Sequence, residues 1–359
     1  MQYALSLENL GSDITTCLRF WIKIRTNRLH IVALSMHVKL WGTRGSLPTP
    51  QSPSYLETRI KKILQGFFAS GYRQISEIDQ YIASLPVHQL GGYGGETVCC
   101  EITTPQQHLI IDGGSGMRSL GYNLAKGNCG QGKGELHILF THFHWDHLSG
   151  LPFFLPLFIP GNIVHVYAVQ TDLPDVFRTL FKPPYFPVPL ERVDATIKYH
   201  RLSPRQPTQF NDMVVTPYQL DHPDPCWGYR IEAGGKVLAY CVDSEIQRVT
   251  RADLGADLPL YQNVDLMIID AQYTLLESTE KVNWGHGAAP DGLEIAMREG
   301  IKRVWFVHHD PAASDEKIAE AEAEARGFYE KQLAMRPHST RKFHEVEWSF
   351  ARDGAEVWL

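Results

Sequence analysis

The sequence predicts an α/β fold in four layers, two β-sheets covered on their outer faces by helices. Three observations predict it. Strand-like runs dominate both halves of the 359-residue chain. Helical patterns follow the sheet segments of each half. A string rich in histidine, THFHWDH at residues 141–147, comes directly after the apolar run His137–Phe140, where a rigid strand hands side chains to a loop.

Residues 1–35 alternate apolar and basic residues (Leu18, Arg19, Phe20, Trp21, Ile22, Lys23, Ile24, Arg25) without punctuation. They are expected to be an N-terminal extension, read as an oligomer or membrane-surface element or as the product of an upstream start codon. The folded domain is expected over 36–359. Its first strands are read at 37–42, 97–104 and 108–112, with a helical insertion at about 53–90, where Ile60, Ile63, Leu64, Phe67 and Phe68 recur at helical spacing. The turn Asp112-Gly113-Gly114-Ser115-Gly116 closes the third strand. It is a poor dinucleotide fingerprint, because Ser119 stands where the third glycine belongs. Prolines exclude regular helix and central strand at Leu151–Pro160 and Phe181–Pro187, which read equally as packed surface loops or as walls over a site. Further strands are read at 212–220, 228–233 and 236–243, with Gly234-Gly235 as a hairpin turn. A strand at 264–270, a helix at 288–299 ending at Gly300, and a strand at 303–307 follow. A helix at 314–334 carries Asp315 and Glu316 in its first turn, which suits the helix dipole. Two short strands close the chain.

Composition narrows the function classes. A formal net charge of −6 argues against a broad nucleic-acid footprint. No apolar stretch is long enough to span a membrane, and the N-terminus does not read as a secretory signal. Cys17, Cys99, Cys100, Cys129, Cys226 and Cys241 form no C-x-x-C pair, which fits reduced thiols in a cytoplasmic protein. Cys226 and Cys241 lie near candidate ligands but read better as buried structural thiols.

The string at 141–147 says what chemistry to expect. In extended chain, residues two apart point the same way, so His142 and His144 can converge on one ion. Asp146 and His147 follow where the chain turns and can reach a second. Imidazole and carboxylate donors suit Zn²⁺, and also Mn²⁺ or Fe²⁺. Further candidates stand at strand ends: Asp221-His222, Asp243, and His308-His309-Asp310. A carboxylate such as Asp243 can bridge two ions.

This set resembles the metallo-β-lactamase superfamily, whose fold is an αβ/βα sandwich. The strings WGTRGS (41–46), YGGET (93–97), DGGSG (112–116), THFHWDHLSGLPFF (141–154), DAQYT (270–274), WGHG (284–287) and HHDP (308–311) are similar to its phosphodiesterase branch. That branch holds tRNase Z and the cyclic-phosphate and cyclic-nucleotide phosphodiesterases. The resemblance spans about residues 36–312. It implies that His142, His144 and His222 hold one metal, that Asp146, His147 and His308 hold a second, and that Asp243 bridges them. His308 fits this set better than its neighbour His309. The resemblance assigns His286 to face the substrate phosphate, contacting an oxygen or protonating the leaving alkoxide, and lets Asp146 orient the nucleophile.

The implied activity is hydrolysis of a small cyclic nucleotide or cyclic phosphate by a hydroxide activated between two divalent ions, with Zn²⁺ the expected ion and Mn²⁺ or Fe²⁺ the alternatives. The alternatives in function are a tRNase Z-like endoribonuclease, a metallohydrolase of another ester, a di-iron redox protein, or a binding scaffold. Glu96, where the family usually has asparagine, and the acidic charge weigh against a tRNA substrate. Trp145, Tyr185, Phe186 and Trp227 are candidates to stack a base. A homodimer is the expected assembly.

Overall fold

A computed structural model describes residues 36–335 and 343–359; the expected extension over 1–35 lies outside the described residues. Among the described residues, fourteen strands pair into two seven-stranded sheets. The first runs in the order β14 (Glu356–Trp358), β1 (His37–Gly42), β2 (Cys99–Thr103), β3 (His108–Ile111), β4 (Glu135–Leu139), β5 (Ile163–Ala168) and β6 (Thr196–Arg201). The second runs β13 (Glu347–Phe350), β12 (Arg303–Val307), β11 (Leu266–Asp270), β10 (Lys236–Cys241), β9 (Trp227–Ala233), β8 (Met213–Gln219) and β7 (Thr208–Phe210). Each sheet is parallel on one side, through β3–β6 and β10–β13, and antiparallel on the other.

Side-chain alternation along the strands builds the layers. In β4, Leu139 points between the sheets with Leu40, Ile102, Ile111, Val215, Ile231, Tyr240 and Ile268. Its neighbours Leu136 and Ile138 point outward, against the helices Met117–Leu124 and Leu173–Leu180 through Leu120 and Phe177. On the other flank Cys241, Met267, Ile269 and Phe306 pack against the helices Ala289–Glu299 and Asp315–Met335. These three apolar interfaces make the four expected layers.

The Gly234-Gly235 turn joins β9 to β10 with φ of 58° and 77°, left-handed values that a hairpin of this kind requires and glycine adopts without a Cβ clash. Strands β5, β6 and β7 and the helices Met117–Leu124 and Leu173–Leu180 add to the elements read from sequence. The first of the two proline-rich segments is interior packing rather than a wall over a site: Leu151, Phe154 and Leu157 are fully buried. Helices Pro53–Ala69, Ile78–Ser84 and Val87–Leu90 fill the segment between β1 and β2. Asp315 does more than favour a helix dipole. It is buried and forms ion pairs with Arg44 at 3.6 Å and with Arg59, tying the Pro53–Ala69 helix to the second sheet's helical layer.

Candidate metal centre

The parallel strands end at one rim, and the strand-end residues collect there. His142 and His144 follow β4, His222 follows β8, Asp243 follows β10, and His308 follows β12. Two groups of donor side chains that could hold a metal ion form. One is His142, His144, His222 and Asp243; the other is Asp146, His147, Asp243 and His308. Within each group the donor atoms lie within 4.8 Å of one another, and Asp243 belongs to both. Asp243 approaches His142 Nε2 and His147 Nε2 at 3.3 Å each and His308 Nε2 at 2.9 Å. Asp146 stands 3.0 Å from His308 Nε2 and 3.5 Å from His147 Nε2.

The backbone is held in unusual conformations to achieve this. Asp112, Asp243 and His308 have φ of 60°, 63° and 63°, and Ser46, whose N–H donates to Asp146 Oδ2 at 2.7 Å, has φ of 58°. Non-glycine residues adopt this region at a cost, and such residues cluster at functional sites. Gly285, with φ of 90°, lies against His222: a Cβ there would sit 2.3 Å from its Cδ2.

Outer groups fix the imidazoles, a role to which the sequence alone assigns no residue. Asp112 is fully buried. It lies 2.9 Å from His147 Nδ1 and accepts from the Thr141 N–H at 2.9 Å. Asp270 lies 2.8 Å from His286 Nδ1, and Gln272 Oε1 lies 2.8 Å from His308 Nδ1. Asp224 Oδ2 contacts His144 Nε2 at 2.9 Å. The signal available in sequence was positional: Asp112 and Asp270 both end strands, beside β4 and β12 respectively.

The electrostatics are those of buried carboxylates amid imidazoles. Burial pushes His142 down to about 3, with His147 adding to it, and burial likewise lowers His222. Against burial, the carboxylates of Asp243 and Asp146 raise His308 to about 10, and Asp243, Asp146 and Asp112 raise His147. Asp146 and Asp243 are held well below the usual carboxylate range, because the neighbouring His147 and His308 overcome burial.

A test of fit for a cation comes from hydrogen bonding. His142 Nε2, His147 Nε2, His222 Nε2 and both oxygens of Asp243 are buried and have no hydrogen-bond partner. His142 Nε2 and His147 Nε2 lie at ion-pair distance from Asp243 but outside hydrogen-bond geometry, and His222 shares the first donor group with it. Buried polar atoms are otherwise almost always satisfied. These five converge on shared points and are of the donor types that divalent transition ions take.

The adjacent residues sort clearly. His309 turns away from the site, its Nε2 2.8 Å from the Ala351 carbonyl oxygen and its ring stacked on Phe350. His286 lies stacked over His308, centroids 4.7 Å apart, and joins Asp243, Asp270 and His308 in a further donor group. Asp221 forms an ion pair with Arg248. Cys226 is buried with Sγ 3.7 Å from His142 Nδ1, and burial raises its thiol. Of the aromatic candidates, Trp145 and Tyr185 are exposed, whereas Trp227 and Phe186 pack against the cores. Trp284, next to Gly285-His286, is also exposed.

A family model described as the beta-lactamase superfamily domain matches residues 110–309, more than half of the chain. A ribonuclease Z of Lachnoclostridium phytofermentans is 22% identical over 229 residues, covering 49% of this chain and 70% of that protein. A ribonuclease BN of Cronobacter sakazakii is 26% identical over 248 residues, covering 54% and 76%. Among solved structures, the metallo-β-lactamase fold protein YhfI of Bacillus subtilis aligns with a TM-score of 0.58 at 16% identity, over 91% of this chain and 100% of the other. Yeast PDE1 aligns with a TM-score of 0.55 at 12% identity, over 91% and 100%. The two structures agree with this chain in fold, and the matched segment contains every donor residue of the rim. The chain belongs to the beta-lactamase superfamily.

Proposed function

We propose that the protein is a two-metal phosphodiesterase acting on a small cyclic nucleotide or cyclic phosphate. One observation carries the reading: two donor groups share Asp243, and within them His142 Nε2, His147 Nε2, His222 Nε2 and both Asp243 oxygens are buried without a hydrogen-bond partner. His142, His144 and His222 would hold one ion, Asp146, His147 and His308 the other, and Asp243 both. Bound there, two divalent ions, with Zn²⁺ expected ahead of Mn²⁺ or Fe²⁺, supply an activated water and neutralise charge on the phosphate.

The remaining residues position the reactants. Asp270 accepts from His286 Nδ1–H, a tautomer assigned from this contact, which leaves Nε2 to meet a phosphate oxygen or the leaving alkoxide. The Ser46 N–H fixes Asp146, which orients the nucleophile. Trp145 and Trp284 flank His144 and His286 in sequence, and both are exposed, available as faces for a nucleobase.

The relatives named ribonuclease Z and BN favour a second reading, an RNA 3′-end endonuclease. One assay separates the two. Purified protein is given bis(p-nitrophenyl) phosphate, 2′,3′- and 3′,5′-cyclic nucleotides, and precursor tRNA. Turnover of a cyclic nucleotide with intact tRNA supports the first reading, and tRNA cleavage alone transfers the assignment to the second. No phosphodiester turnover by the metal-loaded protein sinks both.

We also propose a cytoplasmic homodimer. The five described cysteines are all free, and among the described residues no helix is long and apolar enough to cross a membrane. Leu56, Ile60, Leu64 and Phe68 leave an exposed apolar stripe on the Pro53–Ala69 helix. Light scattering tests the assembly, and a monomer at micromolar concentration rejects it.

A further inference from the structure

The first sheet carries a second imidazole cluster. Glu135 and His137 lie on β4, His165 and Tyr167 on β5, and His200 on β6. The parallel register sets His137 directly across from His165, and Tyr167 across from His200. Because alternate residues share a face, Glu135 and His137 project to one side of β4 together. The His137 and His165 rings stack with centroids 4.7 Å apart and planes within 9°.

Hydrogen bonds hold the Nδ1 edge of each ring. His137 Nδ1 is held by the Tyr167 hydroxyl at 2.9 Å. His165 Nδ1 is held by His200 Nε2 at 2.8 Å. His165 Nε2 is hydrogen-bonded to Glu135 Oε1 at 3.1 Å, a contact that an ion held between them would replace. That separation is close to the edge of a tetrahedron of donors around Zn²⁺, about 3.3 Å for bonds of about 2.0–2.1 Å. Donor atoms of Glu135, His137 and His165 all lie within 4.8 Å of one another. Histidines that ligate metals have the opposite nitrogen held by a hydrogen-bond partner, and Tyr167 and His200 stand where such partners belong. A recess of about 550 Å³, lined in part by Glu135, His137, Tyr167, Phe210 and His108, opens beside the cluster and leaves room for a further ligand.

We propose that Glu135, His137 and His165 form a third divalent transition-metal site, separate from the rim centre, with Tyr167 and His200 positioning its imidazoles and a coordination position open to the recess. It is a two-histidine, one-carboxylate set, suited to Zn²⁺ and to ions of similar preference.

Metal counting on the full chain tests this without reference to turnover. Protein stripped with a chelator is titrated with Zn²⁺ by calorimetry, and bound metal is counted by mass spectrometry after desalting. His165→Gln, and separately Glu135→Gln at a largely exposed side chain, should each bind one equivalent fewer than the unaltered protein. Asp243→Ala should keep the equivalent that these variants lose. Tyr167→Phe should retain it with affinity reduced about 10–100-fold, the usual effect of removing an outer-shell partner. Equal stoichiometry in the unaltered protein, His165→Gln and Glu135→Gln overturns the proposal, as does the loss of all metal from Asp243→Ala. Because the count is a difference between variants, it stands whether or not the rim centre hydrolyses phosphodiesters.

Discussion

Two histidine clusters are served by the same strand, and they differ in what surrounds the imidazoles. Beyond the C-terminal end of β4, His142 and His147 meet Asp146 and Asp243, which are 5% and 1% exposed. On β4 itself, His137 meets the Tyr167 hydroxyl and a second imidazole, and the carboxylate of the group, Glu135, has 62% of its side chain exposed. Burying carboxylates costs several kcal/mol per charge unless cations accompany them. The rim therefore needs positive charge, as protons on His147 and His308 or as metal ions. The sheet cluster holds no buried carboxylate that demands such compensation. Residue type alone does not distinguish the two; the burial of the acid does.

The largest expected effect follows from taking away the shared acid. Asp243→Ala should lower turnover of bis(p-nitrophenyl) phosphate on the order of 10³-fold or more and strip the rim of metal. His137→Gln should leave turnover within about twofold, since that ring touches no residue of the rim. Comparable losses in both variants would erase the distinction between the clusters.

A smaller effect is expected one shell out. Asp112 holds His147 by its Nδ1 and steadies the Thr141 backbone. Asp112→Asn keeps the shape but weakens the acceptor, so metal affinity or turnover should fall about 10–100-fold. Metal titration of the variant checks this, and an unchanged affinity would mean that His147 needs no orienting partner.

His309 offers a control of comparable burial. Its Nε2 bonds the Ala351 carbonyl oxygen, and it makes no contact with Asp243. His309→Gln should cost about 1–3 kcal/mol of stability, the penalty for disturbing a buried hydrogen bond, with metal content intact. Denaturant unfolding and metal analysis read the two outcomes separately, and metal loss would make His309 a ligand after all.

How much of this was legible in sequence depends on the range of the signal. The spacing of the candidate donors is local: His142 and His144 lie two apart in extended chain, and His222, Asp243 and His308 each stand just after an apolar run. Such patterns survive without coordinates. Asp112, Asp270 and Gln272 act across strands, and β3 reaches β4, and β11 reaches β12, only through sheet pairing. A sequence reading has no access to that register. Strands β5 and β6 were harder still, since His165, His200 and Lys198 break the apolar alternation that marks a buried strand. Two of the residues that hid those strands, His165 and His200, belong to the second cluster. His308 and His309 are likewise told apart only by geometry: His308 Nε2 lies against Asp146 and Asp243, and His309 Nε2 against the Ala351 carbonyl oxygen.

The smallest expected effect, and the one that tests both clusters together, is the pH dependence of stability in protein stripped of metal. Folded His142 and His309 are lowered to about 3 and His137 to about 4, against an ordinary value of 6.5. Below pH 6.5 the unfolded chain binds protons that these buried rings refuse, so stability is lost as pH falls from about 6.5 toward 3–4. His308 behaves oppositely. Folded, it keeps its proton up to about 10, so its contribution is full below 6.5 and is lost as pH rises from 6.5 through 10. Stripped protein should therefore melt highest near pH 6.5 and lower on both sides. Zn²⁺ should remove the alkaline decline, because an ion then occupies the place of the His308 proton. His137→Gln should flatten only the acid side, between about 4 and 6.5, which confines the sheet cluster to one flank of the curve. Melting temperatures that rise steadily through pH 9 without metal would show that Asp243 and Asp146 do not hold a proton on His308, and the electrostatic contrast between the two clusters would fail with it.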